Sequence, residues 1–532
     1  MIGLTLTPCD EGVIRAGRAA DCTERAKPWV LAATILGSAM AFIDGSVVNV
    51  ALPAIQSSLD VPIEGAQWVV NGYMLTLGAL TLIGGAAADR FGRRRVFALG
   101  IALFTAASVA CGLAANAAML IAFRLVQGLG GALLVPASLA IISAAFPEET
   151  RGRAIGTWAG FSALTTAVGP ILGGFLVDAL SWRAIFFINV PIAAITLLIA
   201  FAHVPESRDD SAGATLDWQG GLCATLGLAA LAYGLTAAAQ RGWSDAAVLG
   251  SLAASVAALG GFVWWETRAP APMLPLELFR SRAFTGANLL TFLLYFALGG
   301  AFFFLPFDLI HVHGYSAAQA GAAFLPFTLI MGTLSRWSGG LIDRYGARFP
   351  LTVGPIVAAA GFALFAVPSI GGSYWATFFP AMFVLGLGMA IAAAPLTTAV
   401  MGAVDDRHAG TASGVNNALA RIAGMLAVAL LGTLAVGAFG TALDAQLDAL
   451  QVPSSVRAEL TAQVPRLAEA WVPPEVAEPL RRMLEHAVNE AFVRSFRLVT
   501  LACAGLALAS ALCAALTPGT SRGGSRQHGA GT

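Results

Sequence analysis

Met40–Pro53 reads MAFIDGSVVNVALP, and its single acid, Asp44, sits inside what otherwise has the character of a membrane span. A carboxylate at a helix centre in hydrocarbon costs roughly 2.5–3.5 kcal/mol on insertion scales, so it is rarely found there without a partner or a task. Runs of similar apolarity, each about 20 residues and able to cross roughly 30 Å of hydrocarbon, recur from one end of the chain to the other. Of the 532 residues, 57% are hydrophobic and 11% charged, against about 25% charged in soluble domains. An all-α polytopic membrane protein is therefore expected. Continuous Ala, Leu, Val and Gly runs contradict the short alternating segments of a membrane β-barrel.

Residues 1–28 carry Arg15, Arg18, Arg25 and Lys27 without the apolar core of a signal peptide, so a cytoplasmic tail is expected there. A second tail, rich in Gly, Ser and Arg, is expected over 517–532. The six cysteines show no CxxC spacing and read as small hydrophobes; no metal site is expected. The zero formal net charge says nothing about partners.

Fourteen spans are expected, starting near residues 29, 65, 95, 118, 152, 184, 216, 246, 284, 318, 350, 376, 410 and 492. Loops after even-numbered spans hold Arg90, Arg93, Arg94, Arg95, Arg151, Arg153, Arg208, Arg268, Arg280, Arg282, Arg344, Arg348 and Arg407, whereas the short odd-numbered loops hold only Arg183 and Arg241. By the positive-inside rule both termini are cytoplasmic. The expected organisation is a six-helix bundle over 29–205, two linking helices over 206–283, and a second six-helix bundle over 284–516. An external loop, about 440–491, interrupts the second bundle and is broken by Pro453, Pro465, Pro473 and Pro474 into short amphipathic pieces.

The bundles are related by an internal repeat. Asp89-Arg90-Phe91-Gly92 recurs as Asp343-Arg344-Tyr345-Gly346, and Gly128-Leu129-Gly130 recurs as Gly386-Leu387-Gly388. Parallel repeats with a site between them are a transporter architecture.

Several motifs carry mechanism. Gly85, Asp89, Arg90, Gly92 and Arg93, with the echo Asp343, Arg344 and Gly346, are read as a cytoplasmic latch between the bundles that breaks as they rock. Arg124 and Gln127 lie one turn apart on one face of the fourth span. Arg124 falls about 8–9 Å below the outer end, and Asp44 about 13 Å below an exit near Pro53, depths at which the two charges can pair. Mutual neutralisation is one reading of that pair; a proton-responsive pair is the other. Gly169, Pro170, Gly173 and Gly174 form a small-residue face of the fifth span. Gln127, Asn416, Asn417 and Arg421 are candidates to line a cavity. Asp308, His311 and His313 are read as a solvated loop, and no second deep carboxylate is expected in the second bundle, Asp405 and Asp406 falling in a loop.

Together, DGSVVNVALP at 44–53, Gly85–Arg95, Arg124–Gly131, Gly169–Gly174 and Trp182-Arg183-x3-Phe187-x-Asn189-x-Pro191 resemble the major facilitator superfamily, in particular its fourteen-helix drug:proton antiporter branch, over roughly residues 29–516. The resemblance implies the major facilitator fold and a multi-pass protein of the cytoplasmic (inner) membrane that exports hydrophobic drugs, antibiotics or toxic compounds by alternating access. It also implies proton coupling at Asp44, proton transfer at Arg124, and an antiport-setting helix at Gly169 and Pro170. No cofactor is expected beyond the proton gradient. The partners expected are small-molecule cargo, protons and the bilayer, with a periplasmic adaptor as an open alternative and the monomer as the working unit. The lack of a second deep acid favours lipophilic, monocationic, neutral or anionic cargo over dications.

A dedicated exporter of one endogenous metabolite or self-made antibiotic is the nearest competing reading, and a membrane sensor without transport is a remote one. Lys27 is the only lysine, which excludes a Walker A ATPase in this chain. An enzyme would need clustered His, Cys or acids, and the six histidines are scattered.

Overall fold

A computed structural model of the chain describes residues 26–208, 216–270, 272–339, 341–404 and 409–516. Most of both expected tails, and Asp405 and Asp406, lie outside them. The described residues are helical throughout, without a strand. In chain order the long helices are α1 Lys27–Leu59, α2 Ile63–Phe91, α3 Arg93–Gly112, α4 Ala117–Ala145, α5 Glu148–Ala179, α6 Ala184–His203, α7 Trp218–Arg241 and α8 Ala246–Glu266. They continue as α9 Arg282–Val312, α10 Ala317–Ala322 with Leu325–Gly339, α11 Arg348–Leu364, α12 Phe378–Met401, α13 Ala409–Ala449 and α14 Glu478–Leu516. Among the described residues 12 helices are long and apolar enough to cross a membrane, and the other two expected spans fall on the shorter apolar stretches Val168–Ala179 and Arg348–Leu364.

Local chemistry sets where these helices begin. Asn116 caps α4 by accepting from Met119 N–H, Ser281 caps α9 by accepting from Phe284 N–H, and Ser316 with Gln319 forms a reciprocal capping box on α10. Asp217 and Asp245 cap α7 and α8 in the same way. The first helix does not end at Pro53. It carries Pro53 inside and runs to Leu59, where Asp60 takes a left-handed conformation (φ 50°) and donates its N–H to Gln56 O. One proline removes one ladder bond, which the flanking turns of so long a helix tolerate.

The repeat is visible as matching close approaches. A Cβ on Gly128 would lie 2.3 Å from Tyr73 O of α2, and one on Gly130 would lie 2.6 Å from Phe104 N of α3. In the second repeat a Cβ on Gly386 would lie 2.9 Å from Phe327 Cα of α10, and one on Gly388 would lie 2.3 Å from Ala358 N of α11. Each glycine pair therefore lets one helix wedge between two others at backbone distance. The linking helices α7 and α8 pack on each other, Gly227 against Leu259, while α7 leans on both repeats: Gly221 meets Ile83 of α2, and Thr433 of α13 donates to Leu235 O.

The polar segment before the last span is shorter than its composition suggests. Helix α13 continues to Ala449 and α14 begins at Glu478, leaving a helix Ser454–Ala462 and a 3-10 turn Val464–Glu469 between them. This segment reaches across the molecule. Arg466 forms an ion pair with Asp60, and Gln56 donates to Arg466 O at 3.4 Å. Glu469 is half-buried there, and the loss of solvent pushes its carboxyl up to about 7; Arg466 and a hydrogen bond from Ser57 oppose the shift. Cys111 and Cys503 are buried, as expected of small hydrophobes.

Candidate functional site

Asp44 lies near the middle of α1 and is fully buried. Its two carboxylate oxygens are divided: Oδ2 pairs with Arg124 Nη1, and Oδ1 accepts from Gln127 Nε2 at 2.8 Å. Arg124, 1% exposed, also donates from Nη1 to Gln127 Oε1 (2.8 Å) and from Nε to Val69 O (3.0 Å). The i, i+3 spacing of Arg124 and Gln127 on α4 thus delivers both side chains to one acid on α1. A buried ion pair repays its desolvation only when remaining donors and acceptors are satisfied, and here Gln127 and the Val69 carbonyl do that work.

Tyr73 completes the cluster. Its ring lies 4.2 Å from the Arg124 guanidinium carbon, and its hydroxyl donates to Ala41 O at 3.1 Å, one turn from Asp44. Phe186 covers the guanidinium from another side at 5.8 Å, and the Cys111 thiol donates to Gln127 Oε1 at 3.7 Å. Sequence reasoning nominated Asp44, Arg124 and Gln127 and missed Tyr73, Phe186 and Cys111. An available signal was Tyr73, one of only six tyrosines, in the middle of an apolar span. Gln127, expected at a cavity wall, is fully buried within the cluster.

The glycines of α5 connect this cluster to the other repeat. A Cβ on Gly169 would lie 1.9 Å from Ser46 Oγ, and one on Gly173 would lie 2.5 Å from Val47 Cγ2, so this face presses on the turn of α1 that follows Asp44. The adjacent face meets α10: a Cβ on Gly174 would lie 2.1 Å from Ala317 O, and one on Gly321 would lie 2.0 Å from Pro170 O. At the end of the same helix, Asp178 accepts from Ala317 N–H (3.1 Å) and Ala318 N–H (2.8 Å), a carboxylate cap given by one repeat to a helix of the other. Sequence reasoning missed Asp178 because nothing local marks an exposed acid as a cap for a helix about 140 residues away.

The motif read as a latch makes its described contacts within the first repeat. Asp89 accepts from Arg93 Nε at 2.9 Å and Nη2 at 2.7 Å. Arg94 N–H donates to Glu206 Oε1 at 3.1 Å, and Arg93 N–H donates to Ser207 O at 2.8 Å, which ties the turn to the chain after α6. Gly92 holds φ at 106°, a left-handed value that favours glycine, and a Cβ there would lie 2.6 Å from Glu206 Oε1. Gly85 faces Pro136 at 3.6 Å. Arg90 lies 5.3 Å from the Phe91 ring. In the echo, Arg344 is exposed and Gly346 has φ 71°, while the Asp343 side chain lies outside what is described.

The remaining candidates separate. Asn416 donates to Asn288 Oδ1 (3.1 Å) and Thr291 Oγ1 (2.6 Å), tying α13 to α9, and Asn417 turns back to Ser413 O at 3.0 Å. Arg421 makes no hydrogen bond or ion pair among the described residues; its guanidinium carbon lies 5.9 Å from the Phe42 ring of α1. One expectation is overturned. Asp308, at the outer end of α9, is 2% exposed and not part of a solvated loop. The cause is a π-turn, Asp308–Val312, which extends α9 beyond Pro306 and keeps these residues helical and covered.

Comparison with known proteins bears on the whole architecture. The family described as Major Facilitator Superfamily matches residues 34–428. The tetracenomycin C resistance and export protein of Streptomyces glaucescens is 34% identical over 501 residues, covering 93% of this chain and 92% of the relative. The methylenomycin A resistance protein of Bacillus subtilis is 35% identical over 407 residues, 76% of this chain and 87% of the relative. Among solved structures, a bacterial homologue of the human lysosomal transporter Spinster, inward-facing and occupied, superposes with a TM-score of 0.61 at 18% identity, over 93% of this chain and 97% of that one.

Proposed function

The chain belongs to the Major Facilitator Superfamily, and from that membership and the geometry around Asp44 we propose that it is a proton-coupled antiporter exporting hydrophobic small molecules across the cytoplasmic membrane by alternating access. The observation that carries this reading is the Asp44 carboxylate, fully buried, divided between Arg124 and Gln127, and set on the helix that Gly169 and Gly173 press. Protonating Asp44 removes the charge that holds Arg124, which keeps the Val69 carbonyl and the Gln127 amide oxygen. The turn Ile43–Val47 is then free to shift against α5, and α5 carries the shift to α10 through Gly174 and Asp178. A gradient of one pH unit supplies about 1.4 kcal/mol per proton. That energy biases the cycle because the two conformations bind the proton with different affinity.

Arg421 supports a cargo that is lipophilic and neutral or anionic. It is a cation on α13 next to Phe42 and Gly78 of the other repeat, and the nearby Asp44 is already spent on Arg124. The wider reading has fourteen crossings, bundles over 29–205 and 284–516 with linking helices between them, and both termini in the cytoplasm. The Asp89 and Asp343 turns act as a latch in the conformation where the cytoplasmic ends meet. The working unit is a monomer driven by the proton gradient alone.

A narrower reading, export of one self-made antibiotic, is favoured by the relative named for tetracenomycin C resistance and export, whereas another, of Mycobacterium tuberculosis, is named a multidrug resistance protein and is 34% identical over 483 residues. A susceptibility panel in a pump-deficient host decides both questions. Raised tolerance to several unrelated compounds, abolished by Asp44→Asn with insertion intact, supports the broad antiporter. Tolerance to a single compound supports the narrow exporter, and tolerance unchanged by Asp44→Asn contradicts coupling at Asp44.

A further inference from the structure

We propose that His313 and Asp308 form a second proton-binding site, in the repeat opposite Asp44, whose occupancy ties the chain around 368–378 to the end of α9. The argument begins with the hydrogen-bond inventory of one imidazole. His313 Nδ1 lies 3.2 Å from Asp308 O and 3.6 Å from Asp308 Oδ2, while Nε2 lies 3.3 Å from Ser369 O. Every one of these partners is an acceptor. A neutral imidazole carries one N–H and one lone pair, so it can satisfy only one side and must aim its lone pair at an oxygen on the other. A ring bearing two protons satisfies both, and it also neutralises the Asp308 carboxylate.

Burial makes this choice consequential. The side chains of His313 and Asp308 are 2% and 3% exposed, and Phe378 closes over the ring at 4.9 Å, edge to face. Asp308 Oδ1 has no hydrogen-bond partner. A buried acid left in that condition is costly unless a cation stands beside it.

The surroundings supply charge but leave this proton to His313. From α14, Arg497 donates Nη2 to Pro368 O at 3.0 Å, and its buried Nε has no partner. Farther along α14, Arg494, Glu490 and His486 line an adjoining cavity of about 310 Å³ that also touches Ser369; Glu490 is engaged by Gln446 (2.7 Å) and His486 (3.4 Å). From the 3-10 turn packed beneath, Arg466 is paired with Asp60, and Glu469 is the other titratable group. His311, on the same π-turn, stacks on Phe307 and leaves Nε2 without a partner. Tyr315 flanks the ring at 6.3 Å, and the first turn of α10 carries no charged side chain of its own, its amides being capped by Asp178 of α5. Two neighbouring carbonyls, Pro368 and Ser369, thus face Arg497 and His313, and of the two ties only that of His313 depends on a dissociable proton.

The π-turn makes the pairing. His313 lies five positions after Asp308, and the i→i+5 closure, His313 N–H to Asp308 O at 3.2 Å, stacks one above the other. When the second proton is bound, the end of α9 and the 368–378 chain move as one body. When it leaves, the Ser369 tie is lost and the Arg497 tie remains. This site goes beyond the antiport reading and does not use Asp44.

The test uses full-length transporter in lipid bilayers. Solid-state 15N spectra of histidine-labelled protein, with the His313 signal assigned by His313→Gln, are expected to show a doubly protonated ring. Asp308→Asn is expected to remove the second proton in the same buffer. Hydrogen exchange over 368–378, corrected for intrinsic rate, should be about tenfold more protected in the wild type than in His313→Gln, the scale of one hydrogen bond to a charged group. A singly protonated His313 ring in the wild type, or the same exchange profile in both proteins, overturns the proposal. Where His313→Gln does not fold, Asp308→Asn carries the assignment and the same two outcomes apply. Loss of proton-driven export in Asp44→Asn bears on the antiport reading only and leaves this result unaffected.

Discussion

The two repeats share a skeleton and differ in what they bury at its centre. The shift in numbering that carries Gly128 and Gly130 to Gly386 and Gly388 carries Arg124 to Met382 and Gln127 to Leu385, both fully buried. The glycines do the same work in both places, admitting a helix at backbone distance. One repeat spends that packing on an ion pair with Asp44, the other on an aliphatic core. Close helix packing in this fold therefore does not require the charges. A purely structural role leaves the charges of the first repeat unexplained, and the proposed proton coupling at Asp44 accounts for them.

The largest effect should come from making the first repeat half like the second. Arg124→Ala leaves Asp44 buried without its cation, and breaking a buried pair costs about 3–5 kcal/mol. The expected result is little folded protein at the membrane and no export, read by size-exclusion chromatography and transport. Replacing Arg124 and Gln127 by Met and Leu copies the second repeat, and Leu in place of Asp44 removes the charge they pair with. The triple variant should recover folding, since apolar substitutes for a buried ion pair are often neutral or stabilising by about 1–4 kcal/mol, yet it should not transport. A triple variant that still exports would end the comparison.

The next effect concerns the glycines. Gly173→Ala sets a methyl 2.5 Å from Val47 Cγ2 and 2.9 Å from Val47 O. Overpacking of this kind costs about 1–3 kcal/mol, and because it strikes α1 one turn from Asp44 it should reduce export more than thermal stability. Gly437→Ala meets nothing within 4 Å and serves as the control, expected to be neutral or stabilising by up to about 1 kcal/mol. Equal effects of both variants on export would separate the α5 glycines from coupling.

Smaller still is the cap shared between repeats. Asp178→Ala removes the acceptor for Ala317 and Ala318 N–H, a loss of about 0.5–2 kcal/mol by analogy with N-caps. It should shift the conformational balance without unfolding either repeat, as double electron–electron resonance between spin labels on α5 and α10 would register.

The smallest effect is a pH slope. The Glu469 carboxyl, raised from its ordinary 4.5 to about 7 by burial, stabilises the docked polar segment in its protonated form. That contribution is full below the ordinary value, declines as pH rises toward 7 and is gone above it. Hydrogen exchange over 464–469 should show this slope in the wild type, and Glu469→Gln should abolish it.

Much of this was legible in the residues. Apolar runs about 20 long fixed the helices, and cap residues such as Asn116 and Ser281 mark starts within two or three residues of expectation. The Asp44–Arg124 pairing was readable because both charges stand alone in apolar spans, where charge must find charge. What stayed hidden depended on partners distant in sequence or on helix irregularity. Asp308 reads as a loop acid because Pro306 precedes it; only the π-turn keeps it inside. Helix α1 outruns Pro53, and α13 and α14 run into the polar segment, because helices end where capping and tertiary support end and not where apolarity does. At the basic turn, the engagement of Asp89 by the i, i+4 arginine and of Arg94 N–H by Glu206, 112 residues away, was likewise invisible in the residues.

The central claim is that Asp44 carries the exchanged proton. It is tested most directly by loading liposomes with a pH-sensitive dye, adding a compound identified by the susceptibility panel, and recording the proton movement that compound evokes in wild-type and Asp44→Asn transporter of equal cargo affinity. Cargo-evoked proton flux in the wild type and none in Asp44→Asn is the predicted result. Undiminished flux through Asp44→Asn would contradict it.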